Sequence, residues 1–135
     1  MNKSNRRKFL GTAAALCAGT AAAAMPGQAA AKKPPMCHHV FFWLKNPGSK
    51  EDRDALIAGV KSLSKIPTVR DLRVGVVANT EARGVVDSTW GVSELIFFDD
   101  IAGEAAYQVH PIHEEFIKKC SHLWEKVIVY DALEV

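Results

Sequence analysis

The sequence predicts an α+β domain in which helices cover one face of a four-stranded antiparallel sheet. After residue 31, short apolar runs typical of strands alternate with amphipathic helical stretches in the order β-α-β-β-α-β. The remaining chain, about 104 residues, has room for one hydrophobic core. An antiparallel sheet with both helices on one face is the economical way to bury these patterns.

The first 31 residues are typical of an export signal. A basic head precedes an alanine-rich apolar run that ends in small residues. The pair Arg6 and Arg7 resembles the twin-arginine signal. A membrane anchor is the weaker alternative, because Gly19 and Pro26 interrupt the run and a spanning helix needs about 20 strongly apolar residues. We expect a twin-arginine-type signal peptide at 1–31, passage through the twin-arginine translocation machinery, and a periplasmic or extracellular location.

Removal of this segment changes the charge of the protein. Four of the 17 lysines and arginines lie in it and none of the 15 acidic residues does, which leaves 13 basic residues and a net charge of −2. No basic cluster remains to follow a phosphate backbone. The composition therefore excludes nucleic acid as an expected partner.

The domain is expected to span residues 38–135, after a polar, proline-marked lead-in at 32–37. It opens with the aromatic run His39–Lys45, which predicts a buried strand. Ser49 is the predicted N-cap of a helix that ends near Lys65. Apolar residues three and four positions apart give this helix one buried face.

Two further strands and a second helical stretch follow. Val69–Ala78 alternates apolar and polar residues, which predicts a strand. Thr89–Phe98 predicts another, and its last four residues are apolar on both faces. Asp99 or Asp100 is expected to cap a helix that runs through Tyr107.

The helical stretch restarts at His110-Pro111, because the fixed φ and missing N–H of proline suit a first helical position. The chain closes with a predicted strand, Lys126–Leu133. Since both helices cover one sheet face while the strands are apolar on both, the second face needs a cover. We expect a homodimer in which two sheets pack face to face.

Two cysteines remain after the signal, Cys37 and Cys120. They can pair in an oxidising compartment, or they can be two buried, inert thiols. The second alternative is favoured, because a twin-arginine substrate folds in the reducing cytosol before export. No C-x-x-C motif indicates redox work or a zinc site.

A histidine-rich motif suggests a family. The chain resembles the stress-responsive A/B barrel (Dabb) domains over residues 37–133, which implies a ferredoxin-like fold assembled as a dimeric α+β barrel. The matching features are His38 before the first strand, Ile66-Pro67 before the second, Phe98 at the end of the third, Tyr107-x-x-His110-Pro111-x-His113, and Trp124-Glu125-Lys126 with Asp131.

The resemblance also implies a site. One plant branch of the family is a polyketide cyclase that closes an aromatic ring inside the domain's cavity. Its acid–base histidine corresponds to His113, its supporting tyrosine to Tyr107 and its first-strand histidine to His38. His110 and Trp90 are further candidate ligand-binding residues. We therefore expect a stress-associated protein that binds a small, partly apolar molecule between helices and sheet.

An acid–base enzyme is the alternative. Histidine is the usual side chain for moving a proton near neutral pH, so His113 would act as base or acid with Tyr107 as its hydrogen-bonding partner. Structural roles compete: His110 can cap the restarted helix, and His113 can be an interior histidine bonded to a backbone carbonyl. His38 and its neighbour His39 point to opposite sheet faces, and the resemblance favours His38 as the inward one.

No metal or cofactor is expected. A zinc site built from His110, His113 and Glu114 lacks an obvious further ligand at a diagnostic spacing. Haem is a second alternative, since related dimeric α+β barrels include haem-binding enzymes and a helix histidine can serve as an axial ligand. No haem-specific motif supports it.

Overall fold

The computed structural model describes residues 35–135. The predicted signal peptide, with Arg6 and Arg7, lies outside the described residues, as does the first half of the lead-in, residues 32–34. Between residues 35 and 135, no helix is long and apolar enough to cross a membrane.

Four strands and three α-helices make up the described part of the chain. The strands are β1 (Met36–Leu44), β2 (Asp71–Gly75), β3 (Val92–Phe98) and β4 (Trp124–Leu133), and the helices are α1 (Lys50–Ser62), α2 (Ile101–Gln108) and α3 (Pro111–Cys120). Short 3₁₀ turns at Leu63–Lys65 and Ser121–Leu123 follow α1 and α3. The sheet order is β2-β3-β1-β4, with every neighbouring pair antiparallel. The predicted ferredoxin-like arrangement is confirmed.

All three helices begin at a side-chain cap. Ser49 Oγ accepts a hydrogen bond from the Asp52 N–H at 3.1 Å, as predicted. Asp100, one of the two predicted residues, caps α2. The His110 ring caps α3 by accepting the N–H of Ile112 at 3.1 Å. Each cap satisfies a donor that the helix itself leaves unpaired.

Strand boundaries differ from the predicted ones where pairing decides them. β1 begins three residues before the predicted His39, because Met36 and Cys37 pair with both β3 and β4. β2 is an edge strand that pairs with β3 alone, and its ladder ends at Gly75. It is therefore five residues long, shorter than the predicted Val69–Ala78.

The third strand also starts later than predicted, at Val92 instead of Thr89. Thr89 donates hydrogen bonds to Asp87 through its backbone N–H and its hydroxyl. The indole of Trp90 donates to the carbonyl of Asp87. These short-range bonds form a turn that holds the residues outside the ladder.

The two sheet faces have different surroundings. Alternate residues of β1 and β3 are buried against the helices, and we call this side the helix face. The other side, the open face, is covered by no helix of the described chain. The helix face carries Met36, His38, Val40, Phe42 and Leu44 of β1 with Val92, Glu94, Ile96 and Phe98 of β3, and it packs on Leu56, Val60, Leu63, Ile66, Tyr107 and Phe116.

The open face is rich in aromatic residues that are only partly buried. The ring of Phe41 lies 5.2 Å from that of Trp90 and 6.1 Å from that of Tyr130. Trp43 lies under the ammonium group of Lys126 and donates a hydrogen bond to Thr89. This apolar second face agrees with the sequence pattern that predicted it.

Candidate functional site

A cavity of about 280 Å³ lies between the helix face and helices α2 and α3. Most of its lining is apolar, which is typical of sites for small organic molecules. The polar side chains are His38, Glu94, Tyr107, Gln108 and His113, and the apolar ones are Val40, Phe42, Phe116, Ile117, Trp124, Val127 and Val129.

His38 enters the cavity from β1 and is held by a carboxylate. It is 4% exposed, and its Nδ1 lies 2.6 Å from Oδ1 of Asp131, its register partner on β4. A carboxylate only accepts hydrogen bonds, so Nδ1 carries the proton and donates it. In the neutral ring this leaves Nε2 with a lone pair, the orientation that a carboxylate imposes on a catalytic imidazole.

Glu94 and Tyr107 form a buried hydrogen-bonded pair, each with 1% of its surface exposed. The Tyr107 hydroxyl donates to Glu94 Oε1 at 2.8 Å. Burial raises the pKa of Glu94 to about 7, although the hydrogen bond and His38 oppose the shift. Burial and the neighbouring Glu94 raise the pKa of Tyr107 far above its usual range, so its hydroxyl remains a donor.

His113 lines the cavity from α3 and is half-buried. Burial lowers its pKa, more than a hydrogen bond to the backbone carbonyl of Gln108 raises it. The imidazole is therefore neutral near pH 7, and a neutral imidazole has one ring nitrogen that can accept a hydrogen bond. His113 lines the cavity, and the backbone carbonyl of Gln108 influences its pKa, so both of the roles that the sequence left open stay predictions.

Tyr107 and His113 are neighbours, but not in the predicted way. Their rings pack with centroids 4.6 Å apart. The tyrosine hydroxyl, expected to bond His113, donates instead to Glu94. The helix restart at Pro111 places the two rings side by side, while the hydroxyl reaches across to β3.

Two candidate ligand-binding residues lie away from this cavity. His110 uses its ring nitrogen to cap α3. Trp90 packs against Phe41 on the open face. The structure thus brings together His38, Tyr107 and His113 of the predicted site, and a ligand role for His110 or Trp90 stays a prediction.

Glu94 is the cavity residue that the sequence interpretation missed. It lies in an otherwise apolar run, between Val92 and Ile96 on the same strand face. The period-two alternation of a strand indicated its position, since it places this carboxyl on the same buried face as Phe98. Within residues 35–135 no lysine or arginine pairs with it, and a buried acidic residue of this kind is an informative exception to the usual burial pattern.

The other ionisable groups give less indication of a site. Within residues 35–135, no three histidines, cysteines or carboxylates are grouped to hold a metal ion. Cys37 lies on the open face and Cys120 at the end of α3, both as free thiols. Burial raises the pKa of each thiol, which lowers its reactivity.

Comparison with known proteins gives a family match. The model of the Dabb family, the stress responsive A/B barrel domain, matches residues 36–133. No curated protein matches the chain.

Several solved structures share the fold. A Dabb family protein with a ferredoxin-like fold from Mesorhizobium loti is 24% identical with a TM-score of 0.61, over 76% of this chain and 99% of that one. A hydroxynitrile lyase from Passiflora edulis is 22% identical with a TM-score of 0.64, over 76% and 95%. A dimeric protein of unknown function and ferredoxin-like fold from Bacteroides fragilis is 22% identical with a TM-score of 0.59, over 74% and 96%.

Proposed function

The chain belongs to the Dabb family, and from that premise we propose that it binds a small, largely apolar molecule in the cavity between the helix face and helices α2 and α3. The observation that carries the proposal is an apolar cavity into which His38, Glu94, Tyr107 and His113 converge. A dry cavity of about 150 Å³ is enough for benzene. A volume near 280 Å³ therefore suits a one-ring compound with a polar substituent, and favours it over a porphyrin.

The free-energy cost of burying these polar side chains supports a ligand-binding function. Burying an ionisable group costs free energy unless it is paired, and an apolar lining would avoid that cost. Ionisable groups with shifted pKa values that share one cavity are more often found at functional sites than elsewhere. Glu94, Tyr107 and His113 all have shifted pKa values and line the same space.

Acid–base catalysis next to a carbonyl group is the second candidate function. Two observations favour it: His113 is neutral near pH 7, and His38 is oriented by Asp131 with its other nitrogen free to accept. Either imidazole can remove a proton from a bound molecule. That a hydroxynitrile lyase has a similar fold shows that this fold accommodates an enzyme, without extending its reaction to this chain.

Nuclear magnetic resonance on the purified protein tests the binding function. Addition of acetophenone, benzaldehyde, phenol or benzoate should shift the ring signals of His38 and His113 and leave those of His110 and His122 unchanged. His113→Ala should weaken binding, whereas His110→Asn, which keeps a capping side chain outside the cavity, should not. Shifts confined to the open face, or none with any compound, would contradict the proposal.

We also propose that the protein is a homodimer joined through its open face. Half-exposed aromatic residues on that face, among them Phe41 and Trp43, need a cover. The similar Bacteroides fragilis structure is described as dimeric. Analytical ultracentrifugation should give twice the monomer mass, and Phe97→Glu on the open face should give the monomer. A wild-type monomer at high concentration would refute it.

Export and a stress role complete the proposal. The arginine pair at Arg6 and Arg7 supports transport by the twin-arginine route. Cell fractionation should find the protein outside the cytoplasm, and Arg6→Lys with Arg7→Lys should retain it inside. The stress role is supported by the family alone, and survival of a deletion strain under oxidative or osmotic stress tests it.

A further inference from the structure

We propose that Glu94 is the proton-donating group of the cavity and that it selects uncharged ligands carrying a hydrogen-bond acceptor, such as a carbonyl or nitrile. This inference rests on the proposed binding function, and it names the ligand chemistry that the same cavity takes.

The surroundings of Glu94 favour its neutral form. The side chain is 1% exposed, and its register partners are Val40 on β1 and Val74 on β2. Within residues 35–135, no lysine or arginine lies within ion-pair distance of it. An unpaired buried carboxylate costs several kcal/mol, so the group keeps its proton instead. The raised pKa of Glu94 agrees with this conclusion.

The hydrogen bond from Tyr107 shows which way the neutral group points its proton. The tyrosine hydroxyl donates to Oε1, which therefore acts as the carbonyl oxygen of the acid. The proton then belongs on Oε2. Glu94 lines the cavity, so this second oxygen is the one left to donate to a bound acceptor. Tyr107 positions the carboxyl.

Each element around Glu94 contributes a defined group. His38 faces it from β1, with Asp131 of β4 behind that ring. Tyr107 comes from α2, beside His113 of α3, and the β2 residue in register with Glu94 is the apolar Val74. The lowered pKa of His113 and the raised pKa of Tyr107 leave both of these groups neutral between pH 6.5 and 8. Loss of the Glu94 proton is therefore expected to dominate the pH dependence of ligand affinity in this range. A His38 variant is needed as a control.

The same proton completes the proposed acid–base reaction. Neutral His113 takes a proton from the carbon next to a carbonyl, and the C–H electron pair becomes the C=C bond. The C=O π pair moves to oxygen, which takes the proton from Glu94 as the acid O–H bond breaks. The products are an enol, an imidazolium and a carboxylate, and the reverse step restores the starting groups. No other reactant is required.

Acetophenone, followed by nuclear magnetic resonance from pH 5.5 to 8.5, is the probe. If only the protonated carboxyl binds it, the apparent affinity should fall about tenfold between pH 6 and pH 8. Glu94→Gln keeps an N–H donor and cannot titrate, so its affinity should stay constant. Glu94→Leu, without a donor, should bind weakly at every pH. His38→Gln controls for the neighbouring imidazole: the fall should persist but move to higher pH, because His38 lowers the pKa of Glu94.

The outcomes separate this inference from the binding function. Acetophenone binding with no pH dependence, or with the same fall in Glu94→Gln, would overturn the role of Glu94 alone. Tighter binding of benzylammonium than of acetophenone at pH 6 would also overturn it, because a cation is preferred only by the ionised carboxylate. If acetophenone does not bind at any pH while phenol or benzoate still binds, the inference is overturned and the binding function stands. If none of the four compounds binds, both are overturned.

A second measurement applies even if the variants fail to fold. The carboxyl carbon of Glu94, observed by carbon-13 resonance in the wild-type protein, should show the protonated form at pH 6. An ionised carboxyl at that pH would refute the proposal.

Discussion

The two faces of the sheet are built from the same strands and have opposite characters. On β1, His38, Val40 and Phe42 point to the helix face and are at most 4% exposed. Their neighbours His39 and Phe41 point to the open face and are only half-buried. The helix face holds the ionisable groups of the cavity, whereas the open face holds a cluster of aromatic rings.

The two faces differ in what packs against them. Helices α1, α2 and α3 cover β1 and β3 on the helix face within one chain, so a polar group buried there must find a partner or stay neutral. Glu94 with Tyr107, and His38 with Asp131, show both solutions. The open face carries the aromatic residues that a second copy would bury. One face is therefore suited to chemistry and the other to assembly.

Adjacent phenylalanines give the largest expected contrast. Phe98 is fully buried on the helix face, and Phe97 is half-exposed on the open face. Phe98→Ala should lower the free energy of unfolding by about 3–5 kcal/mol at any protein concentration. Phe97→Ala should act mainly through the dimer, so its effect should grow as the protein is diluted. Urea unfolding at two protein concentrations measures both effects. Equal losses of unfolding free energy that do not depend on protein concentration would contradict the proposed difference between the faces.

The pH dependence of stability should report the buried carboxyl. Because folding raises the pKa of Glu94 to about 7, the folded state binds the proton more tightly than the unfolded state. Stability contributed by the protonated form is therefore lost as pH rises from about 4.5 to 7, by up to about 3 kcal/mol. Glu94→Gln should remove this loss, so the difference between the two proteins should grow toward pH 8. A difference that does not change with pH would contradict the burial of a titrating carboxyl.

Two tyrosines provide the next contrast. Tyr107→Phe removes the donor to a buried carboxyl and should cost about 1–3 kcal/mol in the free energy of unfolding. Tyr130→Phe, on the open face with 62% of the residue exposed in the single chain, should cost close to zero in protein dilute enough to be monomeric. Thermal unfolding of both variants measures the difference. If the double variant Tyr107→Phe with Glu94→Leu is no more stable than Tyr107→Phe, the cost did not come from the unpaired carboxyl.

The smallest effect is expected at His110, which lies outside both the cavity and the open face. His110→Ala removes the cap of α3 and should lower the free energy of unfolding by about 0.5–1 kcal/mol, while His110→Asn should restore most of it. Neither variant should change ligand affinity. A loss of ligand affinity in His110→Asn would contradict this prediction and assign His110 to the ligand site.

Local signals predicted much of the fold correctly. Ser49 was predicted as a cap, Asp100 as one of two candidates and His110 as one of several roles, because a cap is a contact within three residues. The ends of β2 and the start of β3 were placed wrongly, because the length of an edge strand depends on its one partner. Thr89 and Trp90 fit a strand pattern, but Asp87 bonds them into a turn.

The site was predictable only in part. His38 and His113 were identified as inward-facing, by alternation and by the family motif. The hydrogen bond of Tyr107 was assigned to the wrong partner. The sequence shows a histidine nearby, but it does not show how far the tyrosine hydroxyl lies from β3. Glu94 was overlooked because an acidic residue in a strand is usually solvent-facing.

Local sequence patterns were enough to predict the order of strands and helices, the cap at Ser49 and the apolar character of both sheet faces, and they suggest a signal peptide at 1–31. All of these depend on neighbours a few residues apart, where periodicity and capping act. The contact of Tyr107 with Glu94, 13 residues away, and that of His38 with Asp131, 93 residues away, depend on tertiary packing. Strand register and helix docking bring these groups together, and no local pattern encodes the distance between their atoms. The burial that raises the pKa of Glu94 follows from that same packing.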